Sequence, residues 1–273
     1  LFFTLKASNC VMSMSTVPLQ DLVDTATIMA TIAQALSAND ARVAAACEQA
    51  GRKRGEVQLL AVSKTFPASA VAQAYAAGQR AFGENYIAEG VDKIAACQAM
   101  GLAEARWHCI GPVQSNKTAL VAAHFDWVHS IDRLKIAQRL SAQRPANLPP
   151  LQVCLQVNVD GEASKSGVST AELLPLAREV AQLPRLCLRG LMSIPAPRQG
   201  FEAQRLPHRI LRELFGRCRT DLAMAVGLDA SRFDTLSMGM SDDLEAAIAE
   251  GATMVRVGRG IFGERATGEP RHA

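Results

Sequence analysis

The sequence predicts a single closed (β/α)8 barrel of the TIM type, and three observations carry that reading. Eight short apolar runs alternate with helical patterns over about 245 residues, the strand count and size of such a barrel. With 273 residues, 49% of them hydrophobic, the chain can fill one large core. A doubly wound open sheet would want a glycine-rich fingerprint after its first strand, and Ser63-Lys64-Thr65-Phe66-Pro67 contains no glycine.

Regular periodicity begins near Met29. Residues 1–28 have the apolarity of a signal peptide but neither its charged start nor an A-x-A cleavage site. They are expected to be a leader, disordered or foreign to the protein, with the barrel occupying 29–273. From Met29 to Ala50, Ile32, Leu36, Val43 and Cys47 share a helical stripe that Gly51 closes. Leu59 to Lys64 reads as the first strand, Ser69 to Ala77 as a helix stopped at Gly78, and Arg80 to Glu84 as the second strand. A helix from Ile87 to Met100 ends at Gly101. The third strand, Arg106 to Gly111, and a short helix, Ser115 to Ala123, follow. Trp127 to Asp132 is the fourth strand, with Arg133 to Gln143 as its helix.

Residues 144–150 (RPANLPP) are loop by composition. They could link two domains, but the alternation resumes at once. Leu151 to Val159 is the fifth strand, Thr170 to Gln182 a helix, Leu186 to Ile194 the sixth strand. Phe201 to Val226 is helical with Pro207 near its start. Asp234 to Met238 is the seventh strand, Asp242 to Glu250 a helix stopped by Gly251, and Met254 to Gly258 the eighth strand.

Composition excludes several classes. A net charge of +3 without a Lys/Arg block argues against nucleic acid. Seven scattered cysteines without a CxxC fit reduced thiols in the cytoplasm, not a disulfide scaffold or a zinc site. No apolar run is long enough to span a bilayer.

Function is expected at the carboxyl ends of the strands. There the first strand delivers Lys64, whose amine can turn nucleophilic towards an aldehyde if partly desolvated. From the heptapeptide alone, a strand-end lysine that keeps its head in water is the commoner explanation. The seventh loop, 236–243 (LSMGMSDD), and the eighth, 256–263 (RVGRGIFG), bring small residues, hydroxyls and helix starts of the kind that cradle phosphate. Closure puts strand eight beside strand one, so the lysine and both loops share one arc of the rim. An imine-forming lysine beside a phosphate cradle is what pyridoxal 5′-phosphate requires. Arg256 shares a strand face with Met254 and Gly258 and can point into the mouth. A guanidinium there would face the pyridine nitrogen without a proton to give. An ordinary ion-paired arginine is the alternative.

The segments AVSKTFP, FGENYIAEGVDKI, WHCIGPVQSNK, VHSID, VNVDGEASKSG, GLMSIPAP, LSMGMSDDLEAAIAEGATMVRVG and IFGER span nearly everything after Met29. Together they resemble the YggS/PROSC family of pyridoxal phosphate homeostasis proteins, barrels similar to the N-terminal domain of alanine racemase. The resemblance implies that Lys64 holds the cofactor as a Schiff base (a lysine aldimine) and that Asn85 lies beside it. Ser237, Gly239 and Ser241, with Gly258, Arg259 and Gly260, would hold the phosphate, and Arg256 would face the pyridine nitrogen. Lys165 would be a second lysine near the mouth, with a solvated loop charge as its alternative. No metal and no catalytic residue is expected. The partners implied are pyridoxal phosphate and apo-enzymes that receive it, with the protein itself a monomer. Departures from the family pattern are Phe66 where lysine is typical, Cys109, Pro112-Val113, and Arg259 where a hydroxyl is common.

Neighbouring residues on a strand face opposite ways, so His108 and Cys109 are not expected to form a couple. His108, His124 and His129 lack metal-ligand spacing. Glu89 and Asp92 read as a solvated helix face beside Glu84. Two functions follow: a non-catalytic carrier of pyridoxal phosphate in intracellular homeostasis or, as the alternative, a small amino-acid racemase. Racemisation needs bases on both faces of the imine, and the only tyrosines, Tyr75 and Tyr86, lie in the first third of the sequence.

Overall fold

The computed structural model describes residues 19–162 and 166–264 of the chain. Eight parallel strands close into a barrel in sequential order, β1 to β8. They are β1 (Gln58–Val62), β2 (Ala81–Glu84), β3 (Arg106–Cys109), β4 (Trp127–Ile131), β5 (Leu151–Gln156), β6 (Leu186–Met192), β7 (Thr235–Ser237) and β8 (Met254–Val257). The helices that alternate with them are α1 (Leu19–Gln49), α2 (Ala68–Ala76), α3 (Ile87–Ala99), α4 (Thr118–His124), α5 (Leu134–Gln143), α6 (Leu173–Ala181), α7 (Phe201–Val226), α8 (Leu244–Ala249) and α9 (Arg259–Phe262). The helix expected from Met29 therefore begins at Leu19. Residues 1–18 of the expected leader, and Lys165, lie outside the described residues.

Strands covered on both faces read as continuous apolar runs, because helices pack outside and side chains fill the inside. In β1 every residue after Gln58 is buried. The outer layer holds most of the apolar core, including Val71, Phe82, Ile94, Leu140, Leu155 and Leu222. Inside the barrel a small separate cluster, Leu60, Ala81 and Met254, packs with Ile110. The rest of the interior is unusually polar for such a barrel, and those polar groups belong to the site.

Closure is explicit in the register. Leu60 pairs with Arg256 and Ala61 with Val257 on one side of β1, while Ala61 pairs with Phe82 on the other. The contact between β6 and β7 depends on one glycine: a Cβ on Gly190, whose φ is +158°, would lie 1.8 Å from the Thr235 carbonyl oxygen. The proline-rich loop 144–150 joins α5 to β5 within the barrel. The Arg144 guanidinium donates to the carbonyls of Ala122, Phe125 and Pro149, which folds the loop back on α4.

Candidate functional site

The backbone turns sharply where β1 ends. Thr65 adopts φ +68°, a left-handed conformation that a β-branched residue rarely takes. Such strain persists only where the surroundings over-determine it, and here they do. The Thr65 N–H donates to Glu89 Oε1 at 2.6 Å, and Phe66 N–H to the Ser63 carbonyl at 3.1 Å. Lys93 Nζ donates to that same Ser63 carbonyl at 2.7 Å, to Glu84 Oε1 at 2.7 Å and to Glu89 Oε1 at 2.9 Å. Ser63 Oγ donates to Glu84 Oε1 at 2.6 Å. Lys64, half-buried, is thus presented by a hinge whose two flanking residues are tied to β2 and α3. Burial pushes the Glu84 carboxyl above its ordinary range, against the pull of Lys93 and Ser63.

Glu89 departs from its expected place on a solvated helix face. Its carboxylate accepts from the Thr65 backbone and from Lys93, a neighbour at i+4. Lys93 was not singled out in the sequence, where it stands as one more charge on that helix. The clue was its spacing: Glu89 and Lys93 lie one turn apart on the face that must cover β1 and β2.

Phe66 has a packing role. Its ring meets that of Phe262 in α9 with centroids 5.2 Å apart, pinning the Lys64 hinge to the helix that follows β8. The same two regions touch at the backbone, where a Cβ on Gly258 would lie 3.3 Å from the Val62 carbonyl oxygen. Asn39 on α1 donates to the Gly260 carbonyl at 2.8 Å and fixes the far side of that loop. Asn85, half-buried, follows β2; its carbonyl sits so close to Gly111 that a Cβ there would be 2.1 Å away.

The β7 loop folds against β8. Met238 N–H donates to the Met254 carbonyl and Arg256 N–H to the Gly239 carbonyl, each near 3 Å (3.1 and 3.0 Å). Ser241 is half-buried at the rim. Arg259, largely exposed, stands 3.8 Å from Asp242 across the gap between the two loops. The helices after these loops are short: α8 has six residues and α9 four. Their dipoles are correspondingly small, so a ligand here would be held by loop N–H groups and hydroxyls rather than by a helix macrodipole.

Arg256 does point into the barrel and is 4% exposed. Nη1 donates to Ser237 Oγ at 2.9 Å and Nη2 to the Ser193 carbonyl at 2.8 Å. Burial brings its pKa down to about 10, so it stays a cation at neutral pH. Ser237 Oγ also meets His129 Nδ1 at 2.9 Å, and His129 Nε2 meets His108 Nδ1 at 2.9 Å. The hydroxyl of Ser237, expected at the phosphate, is thereby engaged inside the barrel as a brace for Arg256. Burial holds both imidazoles neutral: His108 falls to about 3 and His129 well below its ordinary value. His108 stacks on Trp127 with centroids 5.3 Å apart. Cys109 turns away to the outer layer, as strand alternation requires. Sequence reading missed this polar line because its members come from β3, β4, β7 and β8. Ser193 was missed too, and its Oγ is buried with no hydrogen-bond partner among the described residues.

Of the residues singled out in the sequence, Lys64, Asn85, Gly239, Ser241, Arg256, Gly258, Arg259 and Gly260 lie at the carboxyl ends of β1, β2, β7 and β8 or in the loops that follow. Tyr75 lies elsewhere. Arg80 covers its ring, and its hydroxyl accepts from Glu104 N–H ahead of β3.

The alanine racemase N-terminal domain profile matches residues 33–266. The pyridoxal phosphate homeostasis protein of Pseudomonas aeruginosa is 57% identical over 242 residues, 89% of this chain and 99% of that protein. Its namesake from Escherichia coli K12 is 55% identical over 224 residues, 82% of this chain and 92% of the other. Among solved structures, PipY of Synechococcus elongatus PCC7942 with PLP bound matches with a TM-score of 0.70 at 34% identity. That match covers 85% of this chain and 100% of PipY.

Proposed function

The chain belongs to the family of pyridoxal phosphate homeostasis proteins, built on the alanine racemase N-terminal fold, and we propose that it binds pyridoxal 5′-phosphate through Lys64 and serves in intracellular homeostasis of that cofactor. The observation that carries the proposal is the closure of β8 onto β1, which sets Gly258 against the Val62 carbonyl two residues before Lys64. The donor set suits a phosphorylated aromatic aldehyde: one primary amine, a cation buried in the barrel, and loops free of bulky side chains at Gly239, Gly258 and Gly260. When bound, the cofactor supplies an aldehyde that condenses with a lysine amine and a ring that can withdraw electrons.

In this reading the Glu84–Lys93–Glu89 network aims Lys64, and Asn85 lies beside the ring. Ser241 and the backbone of Gly239, Gly258, Arg259 and Gly260 take the phosphate. Arg256, held by Ser237 and Ser193, faces the ring nitrogen. A guanidinium donates hydrogen bonds but surrenders no proton. It therefore anchors the nitrogen while leaving the ring a poor electron sink, which suits holding over turnover. Tyr75, whose hydroxyl serves Glu104, supplies no base at the mouth. We take the protein to be a cytoplasmic, non-catalytic monomer that passes its cofactor to apo-enzymes. The scattered free cysteines support a reducing compartment.

Titration with pyridoxal phosphate tests this directly. The protein should gain the visible absorbance of a lysine-bound cofactor, and the loaded protein should leave single amino-acid enantiomers optically unchanged. Rapid stereochemical inversion of any of them would establish the racemase reading instead.

A further inference from the structure

The loop after β7 is shaped by two side chains of α7, on the outside of the barrel. Gln204 and His208 are one turn apart on that helix and face the loop together. Gln204 Nε2 donates to the Asp242 carbonyl at 3.1 Å and also to the Arg198 carbonyl at 3.2 Å. His208, fully buried, places Nε2 3.0 Å from Asp243 Oδ2. A carboxylate only accepts, so Nε2 carries the hydrogen. The other oxygen of Asp243 accepts the Met240 N–H at 2.6 Å, while the Asp243 N–H returns to the Met240 carbonyl at 3.2 Å. One carboxylate thus spans the loop: one oxygen fixes the backbone at Met240, the other is fixed by α7. The loop cannot collapse inward, because Gly239 already lies on Ala247, where a Cβ would come within 2.5 Å.

We propose that His208 and Gln204 are positioning residues for phosphate recognition: through Asp243 and Asp242 they hold the backbone and hydroxyl donors of Gly239–Ser241 in place for a phosphate ester. This rests on the reading that the β7 loop takes the phosphate of pyridoxal phosphate. His208 touches no ligand and acts through Asp243. The helix pair does not depend on it, since Glu250, which caps the end of α8, is gripped independently by Arg205, Arg209 and Arg212 of α7. Loss of the His208 bond should therefore loosen the loop and leave α7 seated.

The test compares affinities for pyridoxal phosphate and for pyridoxal, which lacks the phosphate, in wild type, His208→Phe, His208→Gln, Gln204→Ala and Asp243→Ala. Wild type should prefer the phosphorylated form. His208→Phe and Asp243→Ala should each narrow that preference about tenfold, the worth of a charge-assisted bond, while pyridoxal affinity stays constant. His208→Gln, whose Nε2 can reach the same oxygen, should restore it. Gln204→Ala, at a site only half-buried, keeps the test open if His208→Phe fails to fold; it should narrow the preference by a smaller factor. A parallel loss of affinity for both compounds, with the ratio unchanged, would reduce His208 to a packing residue and overturn the proposal. A wild type with no preference between the two would instead refute the phosphate loop itself, and the proposal with it.

Discussion

Lys93 is the residue whose charge decides whether the Lys64 hinge is held. It is 5% exposed, Glu84 is fully buried, and one Glu84 oxygen has no hydrogen-bond partner among the described residues. Removing the cation alone leaves a carboxylate in the interior, so Lys93→Met should cost about 3–5 kcal/mol in urea unfolding, and the Glu84→Gln/Lys93→Met pair should recover much of it. Equal losses in the two variants would show that the pair is not electrostatically coupled. The buried imidazoles set a different dependence. Unfolded histidines take up protons as the pH falls through about 6.5. In the fold His108 resists protonation down to about 3 and His129 is likewise depressed. The unfolded chain then binds more protons, so stability is complete above about pH 7 and is lost as the pH falls, with a slope approaching ~2.7 kcal/mol per unit for two rings. Unfolding midpoints on both sides of neutrality check this; a His108→Gln/His129→Gln variant should flatten the slope. A flat wild-type profile would mean that the two rings titrate normally.

At the scale of elements, the strands and their order were legible because each is a short apolar run bounded by turn residues. Lys64, Arg256 and the small residues of the last two loops could be placed at the rim from topology alone. What stayed hidden was contact between distant segments. Glu89 looked solvated until α3 was laid over the β1 turn. Ser237 was expected at the phosphate, and its contacts with His129 and Arg256 emerged only when β4 and β8 were brought to its hydroxyl. The departure at Phe66 became intelligible only when α9 supplied Phe262. The start of α1 at Leu19 was missed because residues 1–28 were set aside together as a leader, although Leu19, Leu22, Val23 and Ala26 already fall at helical spacing. Gly190 shows how tightly two strands can depend on one position. Gly190→Ala should destabilise on the order of 3 kcal/mol, because the added methyl meets the Thr235 carbonyl. Gly216→Ala on α7, where a Cβ meets nothing within 4 Å among the described residues, should instead stabilise by about 0.5–1 kcal/mol. Similar values for the two would remove the argument from close approach.

For the whole molecule, the consequence of closure is that the first and last strands, nearly two hundred residues apart in sequence (Ala61 pairs with Val257), become neighbours. The amine arrives from one and the glycine-rich loop from the other, with Phe66 and Phe262 joining them. Nothing local to either segment specifies a cofactor; under the proposed function the barrel does so by bringing them together. The direct measurement is borohydride reduction of the protein loaded with pyridoxal phosphate, followed by peptide mapping. A single adduct on Lys64, and none in Lys64→Ala, is the predicted result. An adduct on another lysine in the wild type, or one that persists in Lys64→Ala, would contradict the assignment of the site.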